Sequence, residues 1–355
     1  MRVIGMMSGT SLDGVDAAVV ETDGDAVTST GGFISVPFDQ GLRDRLRGLK
    51  GRPALDDEET RDTERQLTLF HAEVVRKLSS EHSDAAAAEL IGFHGQTIFH
   101  APERGLTCQI GDGELLARET GIPVIDDFRS ADVAAGGEGA PMAPVYHMAR
   151  ARDLERPVAV LNIGGVANVT WISPDGGAIA FDTGPGNALI DDWVSARGVG
   201  IMDLNGTCAR AGTVDDAVLE RLLDNPYFDR PYPKSLDRDA FSLGPTRGLS
   251  LEDGAATLTA FTAAAVARSA NCLPSPPLRW LVCGGGRKNP VMMHDLRVAL
   301  ESPVEPVETV GWNGDAIEAE AFAFLAARSK RGLPLSYPQT TGVAMPISGG
   351  VYHHP

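Results

Sequence analysis

The sequence predicts an α/β protein built from two similarly designed halves, on three observations. Short β-rich runs alternate with helix-patterned stretches along most of the chain. Two strand–turn–strand segments share one design: RVIGMM with DGVDAAVVET near the start, and VAVLNIGGVANVTWIS from Val158 to Ser173, each interrupted by small turn residues. The length, 355 residues, allows about two domains, each with its own core.

In chain order, the first hairpin turns through SGTSLDG. RDTERQLTLFHAEVVRKLSSEH then sets Leu67, Phe70, Val74 and Leu78 near helical spacing, and ELIGFHGQTIFH reads as a buried strand entering a polar turn at HGQT. GELLARETGIPVIDDFR gives helix, glycine stop and strand. ADVAAGGEGAPMAP, rich in Gly, Ala and Pro, is taken as the crossing between domains, so the first domain is expected at 1–130, completed by a tail from about 335 to 355, and the second at 131–334. After the second hairpin, GGAIAF should end as a strand at DTGPGN. DDAVLERLLDNP and AATLTAFTAAAVARSA read as helices around the loop NPYFDRPYPKSLDRDAF. LRWLVCGGG is a strand meeting three glycines, after which Asn289-Pro290 fits an N-cap followed by proline at the first helical position. DAIEAEAFAFLAARS is the last helix, and His353-His354 in the tail read as a solvated end.

Composition narrows the function classes. At 43% hydrophobic and 22% charged, with no apolar run near the roughly 18 residues of a membrane span, the chain is not expected in a membrane. MRVIGMM is too short for a secretory core, so the cytoplasm is the expected location. The four cysteines are scattered without a CxxC pair, which suggests reduced thiols and neither a zinc site nor a disulfide framework. A net charge of -17 argues against nucleic acid as a partner. An anionic small molecule would need local backbone N–H groups, a few Arg or Lys and a divalent cation.

Several glycine-rich turns follow strands, where α/β proteins gather ligands. Neither a P-loop nor a complete G-x-G-x-x-G occurs, so a phosphate site here has another construction. In SGTSLDG, Gly9 and Gly14 allow close backbone approach, while Ser8, Thr10 and Ser11 offer hydroxyl and N–H donors; taken alone, the stretch reads sooner as an ordinary polar turn. Asp182 in FDTGPGN suits a general base at a strand end, or an Asx-turn that stabilises the loop. His94 and Gln96 in HGQT present an imidazole and an amide for a polar ligand, or serve the structure. Arg129 after VIDDF has the fork for a carboxylate, or forms a surface ion pair. Glu318 shares a helical face with Phe322 and Leu325, facing a cleft or solvent. No His, Cys and Asp cluster has metal-ligand spacing, so a metal is expected only as Mg²⁺ arriving with a nucleotide.

MSGTSLDGVD, FHGQT, VIDDFR with GGEGAP, LNIGGVANVT, FDTGPGN, CGGG with a nearby Asn, and GDAIEAEAFAFLA, in this order from about Met7 to Ala327, resemble the motif set of the anhydro-N-acetylmuramic acid kinases. That family belongs to the acetate and sugar kinase, Hsp70 and actin superfamily, so the resemblance implies two related actin-like, ribonuclease H-like domains enclosing a nucleotide and sugar cleft. It implies an ATP-dependent phosphotransferase that hydrolytically opens 1,6-anhydro-N-acetylmuramic acid and phosphorylates O6, in cell-wall recycling. ATP with Mg²⁺ would be consumed and a homodimer would be the assembly. Residue by residue, Gly9, Thr10, Ser11, Leu12, Asp13, Gly14, Val15 and Asp16 match the ATP stretch and Asp182 the general base. Gly164, Gly165, Gly284 and Gly285 would approach phosphates or adenosine, and His94, Gln96, Arg129 and Glu318 would line the sugar side. A partner-switching ATPase, an ATP-independent glycosidase and a silent binding protein stay open as rivals. They would show, respectively, partner-stimulated turnover without sugar, ring opening without nucleotide, and affinity without product.

Overall fold

In the computed structural model, which describes residues 1–53, 57–238 and 240–355, the N-terminal hairpin forms as β1 (Arg2–Ser8) and β2 (Gly14–Thr22), paired antiparallel. Val3, Ile4 and Met6 are all buried, so β1 runs apolar without alternation, as a central strand covered on both faces must. β3 (Val27–Pro37) pairs antiparallel with β2, and β4 (Leu90–Ala101) lies parallel to β1 on its other side. β5 (Leu106–Ile110) folds back on β4, and β6 (Val124–Asp126) pairs parallel with β4. The sheet order is therefore β3-β2-β1-β4-β6.

The second hairpin is β7 (Val158–Ile163) and β8 (Val166–Ile172), extended by β9 (Ala178–Pro185), all antiparallel. β10 (Trp280–Cys283) is parallel to β7, and β11 (Val304–Pro306) is parallel to β10. The order β9-β8-β7-β10-β11 repeats the first sheet strand for strand. Three antiparallel strands followed by two parallel crossovers, built twice, are the two related α/β units that the sequence leads one to expect.

Each unit has its own core. In the first, Asp57 caps the Glu58–Glu81 helix by accepting from the Thr60 N–H, and Leu67, Val74 and Leu78 from its apolar face are buried with β1, β2 and β4 residues, while Phe70 packs at the margin. Fully burying a leucine contributes about 1.5–3 kcal/mol. The Ile317–Lys330 helix covers the sheet at very short range: a Cβ on Gly5 would stand 1.8 Å from the Ala319 carbonyl oxygen, and one on Gly92 2.2 Å from that of Phe322. Alanines on the helix and glycines on the strands let backbone meet backbone. In the second unit the Leu251–Ala270 helix, capped by Ser250, packs Leu258, Phe261 and Val266 into a core with Phe181 and Trp280.

Four expectations change. The units divide as Met1–Arg152 with Ala316–Pro355, and Asp153–Asp315, whereas the sequence placed the edges at 130 and 334. The reason is packing: ADVAAGGEGAPMAP belongs to the first unit, where buried Asp132 accepts from the Gly139 N–H (2.7 Å) and from the hydroxyls of Ser336 and Thr341, and the last long helix lies on the first sheet. HGQT is not a turn, since β4 continues through it to pair with β5. Asp182 and Gly184 lie inside β9, not past its end. The tail is not a solvated end: β12 (Val351–His353) pairs antiparallel with β6, and His353 Nε2 meets Asp126 Oδ1 at 2.9 Å. The loop expected at 225–241 is present, although Asp239 lies outside the described residues. Among the described residues no helix is long and apolar enough to cross a membrane.

Candidate active site

In the first unit, β1, β4 and β6 are parallel, so the segments after β1 and β6 and the stretch of β4 beside Ser8 share one edge of the sheet. The turn after β1 is closed by Leu12 N–H donating to the Gly9 carbonyl (3.1 Å), with Leu12 at φ 56°. Lys50 Nζ donates to the Thr10 carbonyl (3.1 Å), and Arg43 donates to the carbonyls of Leu12 and Asp13 (2.7 and 3.2 Å). Ser11 Oγ donates to Asp13 Oδ1 at 2.7 Å. Thr10, Ser11 and Asp13 are exposed, whereas Leu12 and Val15 are core side chains. Their side chains are therefore withheld from a ligand. Gly14 answers to packing as well, because a Cβ there would stand 2.3 Å from the Val36 carbonyl oxygen; Asp16 follows on β2, half-buried.

Behind the turn, Gln96 is fully buried and its Nε2 donates to the Gly9 carbonyl at 3.1 Å. Ser8 Oγ donates to the Gly95 carbonyl (2.9 Å), the same oxygen that His94 Nδ1 contacts at 2.7 Å. With Nδ1 protonated, His94 Nε2 accepts from Arg129 Nε and Nη2 at 3.1 and 3.0 Å, and Arg129 Nη1 donates to the Gly139 carbonyl at 2.7 Å. Burial first, and the neighbouring guanidinium second, hold the His94 imidazole neutral to well below its ordinary range. The structure thus joins His94 to Arg129, and Gln96 to the turn. Glu318, half-buried, lies in the first turn of the Ile317–Lys330 helix, one turn before Phe322, whose ring packs on His94 with centroids 4.5 Å apart.

A cavity of about 220 Å³ opens beside His94, walled also by Cys108, Gln109, Asp126, Asp127 and Ser130. Burial pushes the Asp126 carboxyl upward, opposed by its bond to His353. Sequence reasoning missed Glu320, a buried carboxyl that accepts from Tyr146 Oη at 2.5 Å and whose pKa burial raises. Two carboxylates at Glu318 and Glu320 on one helix turn gave no signal as to which faces inward.

In the second unit, the Gly164-Gly165 turn, the end of β9 and the glycines after β10 lie at one sheet edge, because β7 and β10 are parallel and β9 returns beside β8. Asn187 ties that edge together. Its Nδ2 donates to the carbonyls of Ile163 and Gly164 (both 3.1 Å), and its N–H to Gly164 (2.8 Å). Gly284 has φ 74° and ψ 177°, and a Cβ there would stand 2.4 Å from Asn162 Oδ1, so this backbone admits glycine alone. Gly285 starts a short turn, and Asn289 caps the Pro290–Ala299 helix by accepting from the N–H groups of Val291 and Met292. Asn187, unassigned from sequence, is the residue after TGPG, and that position was its signal.

Asp182 is a buried acid at a β-bulge. Ala167 pairs with Gly184 and Asn168 with Asp182, which leaves Thr183 as the extra residue and re-aims the strand. Leu236 N–H donates to Asp182 Oδ2 at 2.7 Å. A carboxylate so held has a fixed orientation. Asp192, by contrast, pairs with Arg238 at 2.8 Å. Among the described residues no group of three or more His, Cys, Asp or Glu side chains is placed to hold a metal ion.

The arrangement is a backbone-rich edge suited to phosphate in one unit, an imidazole–guanidinium pair in the other, and one oriented acid. The family model described as anhydro-N-acetylmuramic acid kinase matches residues 1–354. A protein of that name from Rhodospirillum rubrum is 56% identical over 351 residues, covering 98% of this chain and 93% of its own length. Another from Paramagnetospirillum magneticum is 56% identical over 359 residues, covering both chains completely. Among solved structures, the activator of the 2-hydroxyisocaproyl-CoA dehydratase from Clostridium difficile with bound ADPNP covers 93% of this chain and 96% of its own at 11% identity and TM-score 0.45, a likeness that adds nothing to the strand order above. The chain therefore belongs to the anhydro-N-acetylmuramic acid kinase family, a family of phosphotransferases.

Proposed function

We propose that the chain opens the intramolecular bond of 1,6-anhydro-N-acetylmuramic acid with water and phosphorylates O6 at the expense of ATP, giving N-acetylmuramic acid 6-phosphate for cell-wall recycling in the cytoplasm. The observation that carries this reading is Asp182, buried at a bulge with one carboxylate oxygen fixed by a backbone N–H. In the reaction, Asp182 takes a proton from water as the water oxygen bonds to C1 and the C1–O6 bond breaks. O6 takes the γ-phosphoryl group and ADP departs. An inverting glycosidase needs a second carboxylic acid to protonate the leaving oxygen; here phosphoryl transfer captures O6 instead.

The remaining residues position and neutralise. Backbone donors from Gly9 to Ser11 suit phosphate oxygens, and the glycine edges at Gly164, Gly165, Gly284 and Gly285 suit close approach of nucleotide. Neutral His94 orients Arg129, whose guanidinium suits the lactyl carboxylate, with Glu318 near the sugar hydroxyls. Gln96 supports the turn from behind. Mg²⁺ belongs to the nucleotide substrate in this reading, and a homodimer is the assembly to check by light scattering. Incubation with purified anhydro sugar, ATP and Mg²⁺, omitting each in turn, should yield the phosphorylated sugar only when all are present. Asp182→Asn should retain ATP binding and lose roughly 10²–10⁴-fold in turnover, and ¹⁸O from water should appear at the C1 hydroxyl. Near-normal turnover of that variant, or label in phosphate, overturns the mechanism.

A further inference from the structure

The edge position of β9 would ordinarily leave main-chain groups of Asp182 unpaired on its outer side. Both are taken by one segment. The Asp182 N–H donates to the Lys234 carbonyl at 3.0 Å, and the Asp182 carbonyl accepts from Tyr227 Oη at 2.6 Å. Two residues beyond Lys234, Leu236 N–H reaches Asp182 Oδ2. One strap between residues 227 and 236 thus grips the donor, the acceptor and the carboxylate of a single residue.

The strap is itself locked by a buried cation. Lys234 is 1% exposed, its Nζ donates to the Tyr227 carbonyl at 3.1 Å, and it lies 4.6 Å from the centroid of the Tyr227 ring and 5.8 Å from that of Phe181. An ammonium is costly to bury, and covering a strand edge calls only for main-chain pairing. Here a tyrosine hydroxyl and a buried lysine are added at the one position on β9 that carries an acid. Opposite the strap, Thr183 Oγ1 donates to the Ala167 carbonyl and Ser269 Oγ to the Thr183 carbonyl, each at 3.1 Å, which fixes the bulge from the other direction.

We infer that Tyr227 and Lys234 are positioning residues that hold Asp182 in the orientation proton abstraction needs, an inference that rests on the reading of Asp182 as the general base. A small displacement of a catalytic group is enough to cost rate without changing affinity. Tyr227→Phe removes one hydroxyl and keeps the ring packed on Phe228 and Phe241.

The test is steady-state kinetics of Tyr227→Phe, Lys234→Met, Asp182→Asn and the Asp182→Asn/Tyr227→Phe double variant, with a melting curve for each. Tyr227→Phe and Lys234→Met should each lower kcat about tenfold, with KM for ATP and for the anhydro sugar within about twofold of the parent. Adding Tyr227→Phe to Asp182→Asn should cost no further kcat, because the hydroxyl acts only through that acid. Unchanged kcat in Tyr227→Phe, or a full additional loss in the double variant, overturns the inference. Should Lys234→Met fail to fold, the tyrosine pair decides alone. If Asp182→Asn itself keeps turnover, the base reading has failed; if it loses turnover while Tyr227→Phe does not, only the positioning role has.

Discussion

Gly95 and Gly284 hold equivalent places in two sheets of one strand order, yet the chain leaving them builds different chemistry. Each lies beside the end of a parallel neighbour, Gly95 within β4 beside the end of β1 and Gly284 just after β10 beside the end of β7, and each has a positive φ, 68° and 74°. After Gly95 the strand continues and pairs with β5, which sets side chains such as Cys108 and Gln109 around a cavity. After Gly284 the chain turns at once into a capped helix, and the edge stays bare backbone. One topology therefore supplies the same ledge twice, and the residues following the glycine decide whether it offers side chains or N–H groups.

The largest expected effect tests that equivalence. A Cβ at either glycine would stand 2.4 Å from an oxygen, of Ile110 at Gly95 and of Asn162 at Gly284, in a backbone unfavourable to L side chains. Gly95→Ala and Gly284→Ala should each cost about 4 kcal/mol, strain and overpacking together. Hydrogen exchange resolved by unit should place each loss in its own unit. A cost under about 1 kcal/mol at either site breaks the equivalence.

Acid should separate the units next. His71 and His147, both in the first unit, are held neutral by burial to about 4 and about 3, and burial also lowers His94. Above pH 6.5 neither folded nor unfolded chain protonates these rings. Between about 6.5 and 4 the unfolded chain binds the protons and the folded one does not, so stability falls as pH falls, by about 3 kcal/mol for His71 alone. The raised carboxyls of Glu64, Asp126 and Glu320 act in the opposite sense and soften the slope. The second unit has one histidine, His294, which is exposed. Urea midpoints from pH 7 to 4.5 should fall with acid, the first unit should open first, and His71→Leu should flatten the curve. An equal response of both units overturns this asymmetry.

The smallest effect concerns the side-chain edge. Arg129→Lys loses the fork that meets His94 and the Gly139 carbonyl, and should raise KM for the anhydro sugar roughly tenfold while KM for ATP holds. A shift in the ATP value instead would move Arg129 to the nucleotide's side.

Much of this was legible in the letters. Alternating β-rich runs, glycine punctuation and helix caps such as Asn289-Pro290 are local signals, set by φ/ψ preference and side-chain reach, and they gave the twin hairpins, the long helices and the ordered motifs that mark the family. Burial was less visible. Gln96 lies beneath the turn, and Leu12 and Val15 in SGTSLDGV are core residues, which their polar neighbours do not announce. The reach of β4 and β9 through HGQT and FDTGPGN was hidden because a partner strand, not local propensity, keeps a glycine-containing stretch extended.

By itself, then, the sequence determined the fold class and the family, since each depends on local pattern or on ordered motifs. Only the tertiary structure decided which helix closes the first sheet, that the tail returns as β12 to meet Asp126, and that Tyr227 and Lys234 reach Asp182 from over forty residues on. The physical reason is that these depend on contacts between residues far apart in the chain, which chain entropy opposes and only collective packing of the core can stabilise.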